Sequence, residues 1–335
     1  MDRIQLKQQR KKKRLLKRLV LTSIMIMGAI ALYFGYTVFS VYNAASNSYS
    51  ELERGMKSEL RTEEVKITKE PFSMLIMGIE DYSSEGVGRT DSLMVATIDP
   101  VNKSVKLLSI PRDTLVDIPG EGEDKINHAY AKGKKDLTIA TVEEFLDIPI
   151  DYYTTIGFKG FKEIINEIGG ITVDVPFDFY ENSDVDNSKI YFTEGEMNLN
   201  GEEALAYARM RKQDPRGDFG RNERQQEVIQ AAIDKLLSPT NLLKIDSIAQ
   251  HIGDNVETNF KVSDALAVQS KFKDFNTSSI EKLSITGTDV RYSGIYYFQA
   301  DPVELTEVKS ALKAHLNHIS STVKNSEIDE VNEEL

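Results

Sequence analysis

PFSMLIMGI, residues 71–79, decides the fold of this chain together with the two runs that follow it, SLMVATID (92–99) and SVKLLSI (104–110). Each run is short, rich in aliphatic residues and bounded by Gly, Pro, Asp or Asn, which is typical of a β-strand. Residues 100–103 predict a hairpin turn between the last two runs, so we expect part of the sheet to be antiparallel.

Helical patterns alternate with further strands along the rest of the chain. Strands are predicted at 152–158 and 171–175, and helices at 136–146, 158–168, 201–209 and 219–237. Because each amphipathic helix needs a sheet face to cover, this alternation predicts an α/β fold, namely a layered α/β/α domain with a central mixed β-sheet over residues 71–320.

The composition excludes several classes of protein. The 335 residues include no Cys, which excludes a disulfide-stapled mini-protein, a thiolate metal site and a cysteine nucleophile. With 40% hydrophobic residues and 28% charged residues, the chain has ample material for a core and is not disordered throughout.

The N-terminus differs in charge from the remainder of this acidic chain, whose formal net charge is −12. Residues 1–18 hold nine basic side chains and one acidic one, and no residue from 19 to 50 is charged. The apolar run 19–41 reaches the roughly 20 residues that cross a bilayer and exceeds the roughly 7–15 of a signal peptide. Since basic flanks remain in the cytoplasm, we expect a single-pass membrane anchor with the domain outside the cell.

Two alternatives apply to this N-terminal region. Cleavage near residues 44–45 would make it a signal peptide. A nucleic-acid arm is disfavoured because the basic block adjoins a membrane span, so no nucleic-acid partner is expected.

Beyond the span, the alternating charges of residues 42–70 predict a short helical or flexible stalk. At the other end of the chain, the acidic residues 321–335 predict a disordered tail.

The stretch ALAYARMRKQDPRGDFGRNERQQ (204–226) concentrates basic side chains: Arg209, Arg211, Lys212, Arg216, Arg221 and Arg224. Guanidinium groups bind phosphate through paired donors, so several of them together predict a ligand with many oxyanions, such as pyrophosphate. The Pro and Gly residues at 215–220 place this loop just before a helix N-terminus, which is a natural anion site. A solvated basic face paired with nearby carboxylates is the alternative interpretation.

The loop GIEDYSSEGVGRTDS (78–92) offers hard oxygen ligands in Glu80, Asp81, Glu85 and Asp91, with Arg89 as an added cation. Mg²⁺ binds one or two carboxylates together with substrate phosphate oxygens, so the loop predicts a site for Mg²⁺ or Mn²⁺. Plain turn composition is the alternative.

A third candidate element is SIPRDT (109–114), which directly follows a strand. Pro111 ends the strand and exposes Arg112 and Asp113 at its tip, where ligands commonly bind in α/β sheets. Lys125 is a further candidate for a phosphate contact. His128 is expected to be structural, since no partner spacing supports a catalytic triad.

These segments occur in an order that resembles the LytR-CpsA-Psr family. The resemblance rests on GRTDSLM (88–94), SIPRDT (109–114), KINHAYAKG (125–133), GGITVDVP (169–176), LNGEEALAYARMR (199–211) and DPRGDFGRNERQQ (214–226). The family pattern Gly-x-Asp-x-Arg near the first strand differs here, because Glu80 and Tyr82 follow Gly78 at the later motif positions.

The resemblance implies a membrane-anchored enzyme on the outer face of Gram-positive cells. Such enzymes transfer an anionic glycopolymer, for example wall teichoic acid, from a polyprenyl-pyrophosphate carrier to a peptidoglycan sugar hydroxyl. By this resemblance Asp91 holds Mg²⁺, and the implied pyrophosphate contacts are Arg112, Arg209, Arg211 and Gln225, with Arg89, Lys125, Arg221 and Arg224 as further candidates.

The implied phosphotransfer requires charge neutralisation and removal of a proton. Fixed arginines such as Arg112 supply the first, and Asp113 and Asp218 are the candidate acceptors of the proton. The apolar face of the helix at 228–236 is expected to pack in the core, with a groove for the lipid chain as the alternative. Two other functions remain open: a polyprenyl-pyrophosphate hydrolase, and a non-catalytic regulator of the cell envelope.

Overall fold

The computed structural model describes Met27 and residues 35–36, 42–43, 47–80, 88–236, 238–242, 244–272 and 275–333. The basic segment 1–18, nearly all of the apolar run 19–41, and Asp81, Tyr82 and Glu85 lie outside these residues. Among the residues it does describe, no helix is both long enough and apolar enough to cross a bilayer.

The strands of the described residues are β1 (Phe72–Ile79), β2 (Thr90–Asp99), β3 (Ser104–Ser109), β4 (Leu115–Ile118), β5 (Gly122–Lys125), β6 (Tyr152–Gly157), β7 (Ile171–Val175), β8 (Phe179–Asn182), β9 (Lys189–Phe192), β10 (Gly195–Leu199), β11 (Val256–Thr258), β12 (Glu281–Ser284), β13 (Gly287–Tyr292) and β14 (Ile295–Ala300). The helices are α1 (His128–Leu146), α2 (Phe158–Glu167), α3 (Gly201–Arg209), α4 (Asp218–Leu236), α5 (Pro239–Leu242), α6 (Ile245–Asn255), α7 (Val262–Lys271) and α8 (Pro302–Glu333).

A six-stranded sheet in the order β11-β6-β1-β2-β3-β12 forms the centre. The pairs β1/β2 and β2/β3 are antiparallel, whereas β1/β6 and β3/β12 are parallel. Asp99 pairs with Ser104 across the turn at 100–103, so the predicted hairpin is confirmed. The predicted α/β class with a central mixed sheet is confirmed as well.

Helices cover both faces of this sheet because successive side chains of a strand point to opposite sides. On one face, Leu75 and Leu108 pack with Val142 of α1 and Leu312 of α8. Each such burial stabilises the fold by about 1.5–3 kcal/mol. The other face carries Met94, Ala96 and Leu107, and Ile229 of α4 packs against them.

A second hydrophobic cluster lies outside the central sheet. The predicted strand at 171–175 forms β7, which pairs with β10 in a separate two-stranded sheet. This sheet packs with α2, α3, α4 and α6 around the buried Tyr207 and Ile248. One edge of α4 therefore faces this cluster while Ile229 faces the central sheet.

The predicted stalk is wrong for residues 47–70, which dock on the domain. Leu52 is 5% exposed within the main core, and the Arg61 guanidinium donates to both carboxylate oxygens of Asp151 at 2.9 and 2.7 Å. The Ser50 N–H donates to the Thr258 carbonyl at 2.8 Å. An alternating charge pattern does not reveal such partners, because they lie far away in the chain.

Helix α8 runs from Pro302 to Glu333 and thus includes residues 321–333 of the predicted tail. Residues 303–333 contain neither Gly nor Pro, so no residue in this segment ends the helix. Among the predicted helices, 136–146 is the part of α1 that follows a bend at Gly133 and Lys134.

Candidate active site

A β-bulge in β2 sets the position of the first acidic residue of the site. Gly78 pairs with Ser92 and Ile79 pairs with Thr90, so Asp91 has no partner on β1. A bulge turns its extra side chain away from the regular alternation of the strand. The Asp91 carboxylate, in a residue that is 8% exposed, forms an ion pair with the Arg112 guanidinium.

The loop after β3 supplies the second acidic residue. The Asp113 carbonyl accepts a hydrogen bond from the Phe298 N–H at 2.9 Å, which ties this loop to β14. The Asp113 carboxylate accepts from Lys125 Nζ at 2.6 Å, and its Oδ2 lies 3.6 Å from Arg211 Nη1 and 3.7 Å from Arg112 Nε.

The N-terminus of α4 supplies the third acidic residue, Asp218. Arg211 Nη2 lies 2.8 Å from Asp218 Oδ2, and Arg221 Nη1 lies 3.6 Å from Asp218 Oδ1. Arg221 also donates to the backbone carbonyl of Asp91, which closes the ring of contacts. We call these seven residues the charge cluster: the cations Arg112, Lys125, Arg211 and Arg221, and the carboxylates Asp91, Asp113 and Asp218.

The charge cluster has one more cation than carboxylates, and part of its donor capacity is unused. Arg221 is 4% exposed, and its Nε has no hydrogen-bond partner among the described residues. Burial, together with the neighbouring Arg112, lowers the pKa of Arg221 to about 10. An unpaired buried donor costs about 1–3 kcal/mol, so an oxyanion bound here would relieve that cost.

Three other predicted residues lie near the strand ends that lead to the cluster. Gln225 accepts from the Ser92 hydroxyl at 3.1 Å, directly after Asp91 in the chain. The guanidinium carbon of Arg209 lies 5.2 Å from the centre of the Phe158 ring. Arg89 is exposed, and its carbonyl accepts from the Glu80 N–H at 3.1 Å.

Arg224 serves a structural role instead of joining the charge cluster. Its guanidinium donates to the carbonyls of Tyr207 and Met210 and to Asp214 Oδ2, the last at 2.5 Å. Gly220 makes room for this arrangement, since a Cβ there would lie 1.8 Å from Asp214 Oδ2. Counting arginines in the sequence cannot separate a side chain with a complete set of protein partners from one without.

His128 pairs with a carboxylate that is not part of the charge cluster, since its Nδ1 is 2.9 Å from Asp124 Oδ1.

The aromatic Tyr296, which sequence analysis missed, lies beside the cluster. Its ring centre is 5.6 Å from the Arg211 guanidinium carbon and 5.7 Å from Lys125 Nζ. Burial and the nearby Asp289 raise the pKa of Tyr296. A Ser-Gly pair flanked by tyrosines at 292–297 is a hairpin signal that points to this element.

Two cavities adjoin α4. A cavity of about 250 Å³ lies between the start of α4 and the β13–β14 hairpin, lined in part by Pro111, Arg211, Asp218, Asp289, Tyr296 and Phe298. A cavity of about 1090 Å³ follows the length of α4 and includes Asp174, Glu227 and Lys282 in its lining.

The predicted metal site depends on carboxylate oxygens that have no other partner. Within the described part of the chain, no three His, Cys, Asp or Glu side chains gather as a metal-binding group. Asp91 Oδ1 accepts from Arg112, and no hydrogen bond from a described residue reaches its Oδ2. This leaves one carboxylate oxygen open, with Glu80 following β1 on the other side of the bulge.

The chain is similar to known proteins of one family. Residues 35–314 match the model of the LytR_cpsA_psr family. The polyisoprenyl-teichoic acid–peptidoglycan teichoic acid transferase TagV of Bacillus subtilis (strain 168) is 54% identical over 318 residues, which cover 91% of this chain and 81% of the relative.

Solved structures give the same result. The crystal structure of B. subtilis TagV aligns with a TM-score of 0.67 at 54% identity and covers 74% of this chain and 98% of that chain. The LytR-CPS2A-psr family protein YwtF (TagT) with bound octaprenyl pyrophosphate lipid aligns with a TM-score of 0.63 at 34% identity, covering 80% of this chain and 99% of that one.

Proposed function

This chain belongs to the LytR-CpsA-Psr family, and from that premise we propose that it transfers an anionic glycopolymer from a polyprenyl-pyrophosphate carrier to a peptidoglycan sugar hydroxyl. The names of its relatives support teichoic acid as the glycopolymer. The observation that carries the proposal is the charge cluster, where cations outnumber carboxylates and a buried guanidinium keeps an unpaired donor.

The proposed reaction is a displacement at the glycopolymer-side phosphorus of the pyrophosphate. The acceptor oxygen forms a new bond to that phosphorus while the bond to the bridging oxygen breaks. The electron pair of the broken bond leaves with the polyprenyl phosphate, and the hydroxyl proton passes to a carboxylate. Phosphoryl transfer depends mainly on positioning and charge stabilisation. Each well-placed donor contributes about 2.7–4 kcal/mol, by analogy with oxyanion-hole residues.

Arg112, Arg211 and Arg221 are the residues that we assign to the pyrophosphate oxygens. They reach the cluster from the loop after β3, from the segment before α4 and from α4 itself. Because protein carboxylates hold each guanidinium in place before the ligand binds, little reorganisation accompanies binding. Lys125 contributes a fourth positive charge through its contact with Asp113.

We further propose that Mg²⁺, or Mn²⁺, binds together with the substrate. The open Oδ2 of Asp91 suits such an ion, which takes one or two carboxylates plus phosphate oxygens, and Glu80 is the second candidate. When bound, the ion supplies neutralisation of phosphate charge.

The face of the sheet below α4 is the proposed site of the polyprenyl chain. Ser92, Met94, Ala96 and Ile98 alternate along β2 onto this face, with Ser92 closest in sequence to Asp91. Ile76 and Ile98 remain partly exposed there. Met94 and Ala96 of this face are buried, so the apolar residues lead from the headgroup site into the layer between the sheet and α4, as an amphipathic lipid requires.

We also propose that the chain is anchored in the membrane with its domain outside the cell. The support is the sequence of residues 1–41, in which a basic block precedes a long apolar run. This topology brings the domain to the side where peptidoglycan lies.

The test gives the full chain, in detergent micelles with Mg²⁺, a polyprenyl-pyrophosphate-linked glycopolymer carrying a label, together with peptidoglycan. We expect the label to become attached to peptidoglycan and polyprenyl monophosphate to be released. Arg112→Ala should lower kcat by about 10²–10³-fold, because it removes a charge-stabilising donor.

Two controls separate the alternatives. Release of free labelled glycopolymer at the same rate with and without peptidoglycan would identify a hydrolase and contradict the proposal. Chelation with EDTA followed by addition of Mg²⁺ or Mn²⁺ tests the metal, since activity that persists in EDTA would exclude it.

A further inference from the structure

We propose that the 250 Å³ cavity between the start of α4 and the β13–β14 hairpin binds the acceptor sugar, and that Asp218 receives its proton. This inference rests on the proposed transferase function. It assigns a place to the second substrate, which the charge cluster alone does not locate.

The direction of the reaction determines where the acceptor enters. In phosphoryl transfer the attacking and leaving oxygens lie roughly in line with the phosphorus between them. The leaving polyprenyl phosphate belongs at the Asp91 end of the charge cluster, where Ser92 and Gln225 lead to the apolar sheet face. The acceptor hydroxyl must therefore enter from the opposite end, where Asp113, Arg211 and Asp218 lie.

A cavity opens at that end of the charge cluster. Arg211 and Asp218 belong both to the charge cluster and to the cavity lining. A molecule held in the cavity thus touches the cluster directly. Asp113 is not among the residues that line the cavity, and three cations lie within 4 Å of its carboxylate. Of the two candidate proton acceptors, Asp218 is consequently the one that meets the acceptor.

The β13–β14 hairpin forms one wall of the cavity. Opposite residues in an antiparallel pair share a face, so Asp289 lies on the same face of the hairpin as its partner Phe298. Tyr296 lies two residues before Phe298 in β14 and therefore shares this face. The Tyr296 hydroxyl donates to Asp289 Oδ1 at 2.9 Å. This face presents the rings of Tyr296 and Phe298 and the carboxylate of Asp289 to the cavity.

Such a wall suits a sugar ring. Aromatic and apolar surfaces accommodate the C–H face of a pyranose, while a few placed polar groups fix its orientation. Asp289 and Asp218 accept hydrogen bonds from hydroxyl groups, and Arg211 donates them. The lining balances Asp218 and Asp289 against Arg211 and Arg216, so it has no excess of positive charge for the many phosphates of the glycopolymer backbone.

The proposed step is balanced within the site. The acceptor O–H bond breaks as the O–P bond forms, the proton moves to an Asp218 oxygen, and the P–O bond to polyprenyl phosphate breaks with its electron pair. Arg211, at 2.8 Å from Asp218, holds the carboxylate toward the incoming hydroxyl.

The experiment measures the apparent affinity for each of the two substrates separately, with the full chain in detergent micelles. The readouts are KM for soluble uncrosslinked peptidoglycan glycan chains and Kd for octaprenyl pyrophosphate. Tyr296→Ala should raise the acceptor KM about tenfold, because it removes the aromatic wall, and change Kd less than about twofold. Tyr296→Phe keeps the ring and loses the bond to Asp289, so the acceptor KM should rise only about two- to threefold.

Asp218→Asn tests the proton acceptor. We expect kcat to fall by about 10²–10⁴-fold while Kd for octaprenyl pyrophosphate changes much less. The matched control is Tyr191→Ala, which removes a tyrosine that is 68% exposed on a different hairpin, β8–β9, and should alter neither constant.

The outcomes distinguish the possible failures. If Tyr296→Ala weakens octaprenyl pyrophosphate binding and leaves the acceptor KM unchanged, the cavity is not the acceptor site. If Tyr296→Ala does not fold, an unchanged acceptor KM in both Tyr296→Phe and Asp289→Asn overturns the proposal. A wild-type chain that binds octaprenyl pyrophosphate but transfers nothing contradicts the proposed function instead.

Discussion

Arg221 and Arg224 lie one helical turn apart on α4, both almost fully buried, yet their surroundings differ. Arg224 directs its donors to two backbone carbonyls and to Asp214, whose side chain is 0% exposed. Arg221 contacts the backbone of Asp91 and lies 3.6–4.0 Å from two carboxylates, and its Nε has no partner among the described residues. The first region is complete without a ligand, whereas the second has donor capacity that a ligand can use.

This difference shows that burial of an arginine does not identify a binding site. A buried ion pair whose donors are all engaged contributes to the shape of the loop, and breaking it leaves an uncompensated charge. A buried cation with an unused donor is held at a cost in free energy, which an anionic ligand recovers on binding. Two substitutions on one helix therefore test the two roles independently.

The largest expected effect is on stability. Arg224→Met removes the guanidinium partner of Asp214 and leaves the Arg216 N–H, at 2.8 Å, and Arg216 Nε, at 3.8 Å, near that buried carboxylate. We expect the free energy of unfolding to fall by about 3–5 kcal/mol, as measured by urea denaturation followed by circular dichroism.

Arg216→Met provides the matched control for this prediction. The Arg216 side chain is 50% exposed and pairs with the exposed Glu223, so its loss should cost less than about 1 kcal/mol. If the two variants are equally stable, the Asp214–Arg224 pair does not have the structural role assigned to it.

The next effect is on binding without a comparable loss of stability. In Arg221→Met, Asp91 keeps Arg112 and Asp218 keeps Arg211, and the unpaired buried donor disappears. We expect the free energy of unfolding to stay within about 1 kcal/mol of the wild-type value, while Kd for octaprenyl pyrophosphate rises about 10- to 100-fold. Equilibrium titration and urea denaturation of the same preparation measure both quantities.

A loss of stability in Arg221→Met as large as that in Arg224→Met would contradict the comparison, because both arginines would then be structural. Unchanged affinity in Arg221→Met would remove the residue from the headgroup site.

Much of the fold could be predicted from the sequence because its signals are local. Strands such as 72–79 and 104–109 are short apolar runs between turn residues, and their bounds differ from the prediction by only one residue. The docking of residues 47–70 could not be predicted, since Arg61 finds its partner Asp151 far along the chain. Charge alternation alone is equally consistent with a solvated stalk.

The charge cluster was predictable as a set of residues but not as an arrangement. All seven members are charged residues at or near the ends of strands and helices, and strand ends in particular are common binding sites. The bulge that releases Asp91 depends on the register of two strands, which composition does not determine. Tyr296 was missed because it reaches the site through a tertiary contact, the hydrogen bond from Phe298 to Asp113.

The smallest expected effect is on the affinity for octaprenyl pyrophosphate, and it comes from Arg209, a partly exposed arginine at the end of α3. The Arg209 guanidinium stacks on Phe158, and no carboxylate of the described residues lies within 4.0 Å of it. Because exposed charges are screened by salt whereas buried ones are screened much less, Arg209→Ala should raise Kd for octaprenyl pyrophosphate about three- to tenfold at 0.1 M salt and less at 1 M. The loss of affinity for octaprenyl pyrophosphate in Arg221→Met should change little between 0.1 M and 1 M salt.

Lys212→Ala is the control for this salt series, since Lys212 is exposed and lies three residues from Arg209. We expect it to leave Kd unchanged within about twofold at both salt concentrations, as most surface charges contribute little. If Arg209→Ala and Arg221→Met show the same salt dependence, the two arginines meet the ligand in equally exposed positions. Burial would then not be what separates the inner part of the headgroup site from its rim, and the contrast between paired and unpaired arginines would apply to stability alone.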